Sequence, residues 1–160
     1  SGKPSEANYT NEHMERGHEQ EPIARMQYES EFFCDVDNGG FFDNGLTGCS
    51  PDGLVSANGI IEIKSVIAHV QYATLKRNDI DPSYKWQTVF NLKESGKEWL
   101  DYVSFCAEFP VGNQLIVHRI YAEQKKDEFK MMDSRIAEFS ELIDAVIYDI
   151  NGNVISEDAA

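Results

Sequence analysis

Asp52, Glu62 and Lys64 lie in GCSPDGLVSANGIIEIKS, residues 48–65, in the order Pro-Asp-x9-Glu-x-Lys. Along a strand successive side chains point to opposite faces. Glu62 and Lys64 therefore emerge from one side of Ile61-Glu62-Ile63-Lys64, with Cα atoms roughly 6.6 Å apart. Two carboxylates and an amine this close are the parts for metal-assisted phosphodiester hydrolysis. Carboxylate oxygens suit Mg²⁺, which keeps several waters and takes remaining ligands from substrate phosphate. Such an ion acidifies a water and offsets charge on the phosphate, and a second ion about 3.5–4 Å away would serve the leaving oxygen. The Lys64 ammonium would orient the attacking water or stabilise the charged transition state. A solvent-facing edge strand also carries Glu and Lys in alternation, and Asp between proline and glycine also reads as a turn. The three together, in a β-prone setting, favour chemistry.

The surrounding elements must bring these residues together. Asn58-Gly59 between β-prone runs predicts a hairpin turning there. That turn would set Val55, not Asp52, across from Glu62, so Asp52 has to be delivered by a break at Pro51-Asp52-Gly53. A helix is expected from about Asn11 to Glu31, capped by Thr10 or Asn11 and kinked or restarted at Pro22. The stretch DVDNGGFFDNG reads as turns. Further helices are expected at 67–77 and from Ser83 to Glu94, ending near Gly96. EWLDYVSFCAEF and NQLIVHRIYAE read as strands. Phe129, Met132, Ile136, Phe139, Ile143 and Val146 alternate by three and four, one face of a helix from about Lys125 to Tyr148. That face would cover a sheet or meet another subunit. Residues 1–10 read as a loosely ordered end, 11–150 as a single domain and 151–160 as a tail. The order predicts an α/β (α+β) fold with a central mixed sheet flanked by helices.

Bulk properties narrow the function classes. The 160 residues carry a net charge of −14, which excludes a broadly basic nucleic-acid-binding surface. Contact with a phosphate backbone must then be local, and Lys76, Arg77 and Lys85 form the only basic concentration near these residues in the sequence. Cys34, Cys49 and Cys106 are odd in number and scattered, as for packed thiols in a reducing compartment. Neither they nor the four histidines make a zinc pattern. No apolar run approaches the roughly 20 residues that span a bilayer.

Three ordered blocks carry a family resemblance. MERGHEQEPIARMQYE, residues 14–29, is similar to a helix with a Gly-x-x-x-Glu core and a trailing Ala-Arg. GCSPDGLVSANGIIEIKS is the second block. YKWQTVFNLKESGKEWLDYVSFCAEFP, residues 84–110, is similar to a glutamine-bearing helix followed by a strand. From about Met14 to Val146 the chain resembles the phage lambda exonuclease, or YqaJ-type viral recombinase, family of the PD-(D/E)XK nuclease superfamily.

The resemblance implies a restriction-endonuclease-like core and a DNA exonuclease that degrades one strand of linear duplex, 5′ to 3′, from its end. It implies Mg²⁺, with Mn²⁺ as a substitute, at one or two ions per site. Glu21, Asp52 and Glu62 match the metal ligands, Lys64 the active-site lysine and Gln87 the first family glutamine. The second glutamine position holds Val89 here. Asp43 lies near an acidic family position upstream of the second block. Relatives place a basic, hydroxyl-bearing end-binding segment ahead of the first helix, which the residues before Met14 do not carry. Implied partners are double-stranded DNA ends, a single-strand annealing protein and further copies of the chain in a trimeric ring. The implied setting is the cytoplasm of a bacterial host of phage or prophage. Two other readings share these residues: a restriction- or repair-type endonuclease, and a catalytically silent DNA-end-binding module.

Overall fold

The structure, a computed structural model, describes the backbone of residues 6–158 and the side chains of residues 11–152. Its contacts divide the chain into two compact units, one ending at Gln124 and one beginning at Lys125. The expected single domain to residue 150 is thus divided at the start of the last helix. Helix α1 runs from Glu6 to Phe32, five residues ahead of the expected start and continuous through Pro22. Proline removes one backbone donor from a helix, and the other bonds of this 27-residue element carry it through. Residues 6–10, expected to be loose, are helical; residues 1–5 lie outside the described residues.

Strands β1 (Val36–Asn38), β4 (Gly53–Val55), β5 (Gly59–Ser65), β6 (Trp99–Phe105) and β7 (Leu115–Tyr121) form one sheet in the order β1-β4-β5-β6-β7. Strands β2 (Phe42–Asp43) and β3 (Gly48–Cys49) make a separate small hairpin. Every neighbouring pair in the large sheet is antiparallel except β5 and β6. A parallel pair needs a long crossover. Helices α2 (Ala68–Arg77) and α3 (Lys85–Ser95) supply it, ending on Asn78 and Gly96 in left-handed conformation.

Alternation along β5 and β6 sorts the layers. Ile61, Ile63, Val103 and Phe105 pack with Ala24 and Tyr28 of α1 in the main core. Ile60, Glu62 and Lys64 therefore point to the other face. Asp101 is an unexpected buried charge in β6, only 1 % exposed. Tyr28 Oη donates to its Oδ2 at 2.6 Å, and Arg119 donates from Nε and Nη2 at 2.7 and 2.9 Å. A buried charge is tolerated when paired and fully hydrogen-bonded, and this one fastens α1 to β6 and β7.

The β4–β5 connection differs from the expected one. Val55 pairs with Gly59 and Gly53 with Ile61, so the chain turns through Ser56-Ala57-Asn58, with Ser56 at φ 54°. Gly59 does not adopt a positive φ. It is needed for space, because a Cβ there would stand 2.1 Å from the Trp99 ring. That ring also stacks with Arg119, whose guanidinium carbon lies 3.6 Å from its centroid.

The second unit is the helix α4, Lys126–Asp158. In its apolar stripe, expected to cover a sheet or meet another subunit, Phe139, Ile143 and Val146 are exposed. Backbone helix continues through the expected tail to Asp158. No described helix is long and apolar enough to cross a membrane.

Gly59→Ala is expected to lower unfolding free energy by about 1–3 kcal/mol through overpacking, measured by denaturant titration. Gly17→Ala, where nothing lies within 4 Å of the added carbon, is expected to hold or slightly raise stability in the same assay.

Candidate active site

The observed register carries Asp52 to the level of Glu62, and the strand breaks in a bend at Asp52, as the Pro51-Asp52-Gly53 sequence implies. The pairing of Gly53 with Ile61 continues one step further, with Asp52 N donating to Ile61 O at 3.1 Å. Beyond that point the strand ladder ends. Asp52 then uses its side chain: Oδ2 accepts from Ile63 N at 2.7 Å, standing in for a backbone carbonyl. Its carboxylate is therefore fixed at both ends of the residue.

Arg25 of α1 braces the same stretch. Its Nη2 donates to Asp52 O at 2.6 Å and its Nη1 to Asn38 Oδ1 at 3.2 Å. Ala24, fully buried, lets the helix approach the sheet closely. Glu21, one turn earlier, pairs with Arg25 at 3.7 Å. Glu62 is 4 % exposed, and its Oε1 accepts from Asn91 Nδ2 at 2.6 Å. Lys64 is half-buried on the same face as Glu62, its amine 4.8 Å from the centre of the Tyr84 ring. Beside it opens a cleft of about 580 Å³, walled by α1 from His13 to Gly17, by β5 and the start of α2 from Ile63 to Val70, and by Tyr84.

Electrostatics mark these carboxyls as under strain. Burial, then the charge of Asp52, pushes Glu62 up to about 7 against the pull of Lys64 and the Asn91 hydrogen bond. Burial also raises Asp52, despite the Ile63 N–H and the charges of Lys64 and Arg25. Glu21 is raised by burial and by Asp52, against Arg25 and His18. Three carboxyls that resist ionisation in one neighbourhood are what a cation would relieve.

Among the described residues no three His, Cys, Asp or Glu side chains close into a ready metal cage. Asp52 and Glu62 meet; Glu21 feels the charge of Asp52 but remains tied to Arg25. This donor set still fits Mg²⁺, which is held by one or two carboxylates with water and substrate phosphate.

The structure brings together Asp52, Glu62 and Lys64 and leaves other sequence candidates outside. Gln87 is exposed on α3. The amide that reaches Glu62 is that of Asn91, one turn later. Val89, at the second glutamine position, is buried in the core. Lys76, Arg77 and Lys85 are exposed, with Lys76 over Tyr72 and Lys85 over Trp86. Asp43 Oδ1 caps its own turn by accepting from Gly45 N at 2.9 Å. Sequence reasoning missed Asn91, Arg25 and Tyr84. A signal for Asn91 existed in Thr88, Asn91 and Ser95, a polar row at helical spacing among Val89 and Leu92, all of them buried.

The YqaJ-like viral recombinase domain family matches residues 1–98. Among solved structures, an alkaline exonuclease (LHK-Exo) from Laribacter hongkongensis aligns at 32 % identity and TM-score 0.71, over 83 % of this chain and 71 % of that one. The structure of LHK-Exo in complex with dAMP aligns at 28 % identity and TM-score 0.79, over 98 % and 78 % of the two chains. A phage-related exonuclease from Haemophilus somnus 129PT shares the fold, at 14 % identity and TM-score 0.57, over 84 % and 73 %. No curated protein matches by sequence.

The raised carboxyls set a pH dependence. A carboxyl whose folded pKa exceeds its unfolded one binds more protons when folded, so its contribution is present below the unfolded value and lost as pH rises through the folded one. In EDTA the melting temperature is expected to fall by several degrees between pH 4.5 and pH 7.5, the window set by Glu62. Glu62→Gln should flatten that fall. Mg²⁺ should raise the melting temperature of the parent at pH 7.5 and leave that of Glu62→Gln nearly unmoved.

Asn91→Ala leaves Glu62 Oε1 without its donor. Calorimetry is expected to show weaker Mg²⁺ binding by about 10- to 100-fold, the usual cost of losing a partner that orients a ligand.

Proposed function

The chain belongs to the YqaJ-like viral recombinase family, and on that premise we propose that it is a Mg²⁺-dependent exonuclease that degrades one strand of linear duplex DNA from its end, 5′ to 3′. The observation that carries this reading is Asp52 held against Glu62 by strand register, with Lys64 on the same face. Asp52 and Glu62 would hold the divalent cation, and Glu21 would complete its surroundings from α1. A divalent cation there supplies Lewis-acid stabilisation of phosphate charge and lowers the pKa of water.

The chain's own groups do the remaining work. Lys64 neutralises charge building on the phosphate and orients the attacking water. Asn91 fixes the Glu62 carboxylate so that one oxygen stays turned to the site. Arg25 holds the Asp52 backbone in place through its carbonyl. Lys76, Arg77 and Lys85 serve as backbone-phosphate contacts, which reconciles DNA binding with a net charge of −14. The LHK-Exo structure that holds dAMP supports a site sized for a released nucleoside monophosphate. In keeping with the family resemblance, the working form is a ring of three copies around DNA, and the exposed strand passes to a single-strand annealing protein.

Purified protein with Mg²⁺ is expected to digest linear duplex and spare covalently closed circles. Loss of a 5′ label before a 3′ label gives the polarity. Lys64→Ala and Asp52→Asn should each reduce the rate by at least 100-fold. Discrete fragments from closed circles would instead establish an endonuclease. End binding without hydrolysis, in Mg²⁺ or Mn²⁺, would establish a silent module.

A further inference from the structure

We propose that Tyr84 is a positioning residue for Lys64, an aromatic platform that holds the ammonium over the cleft and away from a direct pairing with Asp52 and Glu62. The inference rests on the nuclease reading for its consequence and on geometry for its substance. Lys64 Nζ stands 4.8 Å from the Tyr84 ring centroid, within the range in which the negative face of a ring attracts a cation. A lysine amine is a point charge on four rotatable carbons. Two carboxylates within its electrostatic reach would draw it down and occupy it. Seated over the ring, the amine leaves the carboxylate oxygens to a cation and keeps its own three donors for phosphate or water.

The platform is built independently of its guest. Tyr84 closes the 3-10 turn Pro82–Tyr84, its N donating to Asp81 O at 2.9 Å. Asp81 Oδ1 caps that turn, accepting from Ser83 N at 3.0 Å and Ser83 Oγ at 2.7 Å. The Tyr84 ring lies 6.2 Å from that of Tyr102, tilted by 32°. Tyr102 is fully buried and pairs in register with Glu62 across β5 and β6. Ring, lysine and glutamate are thus referenced to one pair of strands. Tyr84 and Lys64 also wall the same cleft, so substrate entering it meets an amine already in place.

The test is a series at position 84 in the full chain. It comprises Tyr84→Phe, Tyr84→Leu and Phe carrying one, two and three ring fluorines, which weaken the ring face while keeping its shape. Single-turnover hydrolysis of a linear duplex with Mg²⁺ is read beside duplex affinity in Ca²⁺, melting temperature and the ring-current shift of the Lys64 Cε protons. Tyr84→Phe is expected to stay within about twofold of the parent rate, and Tyr84→Leu to lose about tenfold. Duplex affinity and melting temperature should hold, and each fluorine should lower the rate further. In Lys64→Ala the same changes should have no added effect. The Cε shift should persist in Phe and vanish in Leu.

A rate indifferent to fluorination, or an equal loss in the Lys64→Ala background, overturns the proposal. If Tyr84→Leu fails to fold, the isosteric fluorine series decides alone. A parent that cuts nothing yet shows the Cε shift sinks the nuclease reading while upholding the placement of the amine. An active parent without that shift does the reverse.

Discussion

One hydrogen bond organises the centre of this protein: Ile63 N to Asp52 Oδ2, 2.7 Å. It forms because β4 ends at Gly53 while β5 runs on to Ser65, leaving a strand donor with no backbone partner. The side chain of Asp52 fills the gap. In doing so it is locked beside Glu62, a half-buried acid against a buried one. Burial raises both carboxyls, and the charge of Asp52 raises Glu62 further, a cost that a proton or a cation removes. The arms of the fold that reach this point, Arg25 from α1 and Asn91 from α3, hold it rather than neutralise it.

Other buried acids in the same domain show what a purely structural carboxylate looks like. Asp101 meets Tyr28 and two nitrogens of Arg119. Burial pushes Glu94 up, but hydrogen bonds from Asn44, Thr47 and Lys93 outweigh it and leave Glu94 below its ordinary value. Glu62, equally buried, has one amide donor and an anionic neighbour. Pairing separates them: Asp101 and Glu94 are held by several donors, whereas the deeply buried Glu62 and its neighbour Asp52 retain unmet demand for positive charge. Such unmet demand beside a cleft is the physical mark of a site that completes itself with a ligand.

That local deficit also bears on how an acidic chain engages DNA. Surface charge of −14 disfavours diffuse binding along a polyanion. On the proposed function, a cation at the carboxyls together with Lys76, Arg77 and Lys85 would confine attraction to where phosphate sits. Specificity for a backbone position would then follow from where positive charge is concentrated.

Much of the architecture was readable from residue order. Period-two and period-four patterns located β5, β6, β7, α2, α3 and α4, and Asn78 and Gly96 end their helices in left-handed conformation as short or polar residues at such positions do. The type and spacing of Asp52, Glu62 and Lys64 pointed to phosphodiester chemistry. What tertiary structure decided was register and facing. Gly59 reads as a turn glycine, but its missing Cβ makes room for Trp99, 40 residues away in sequence, and the turn lies earlier, at Ser56-Ala57-Asn58. The shift sets Asp52 rather than Val55 against Glu62. Likewise the sequence pointed to Gln87 on α3, whereas the amide that meets Glu62 is that of Asn91, one turn later on the buried face. Local sequence encodes dihedral preference and periodicity; which residue meets which across a sheet is settled by steric fit between distant segments, and no local pattern carries that information.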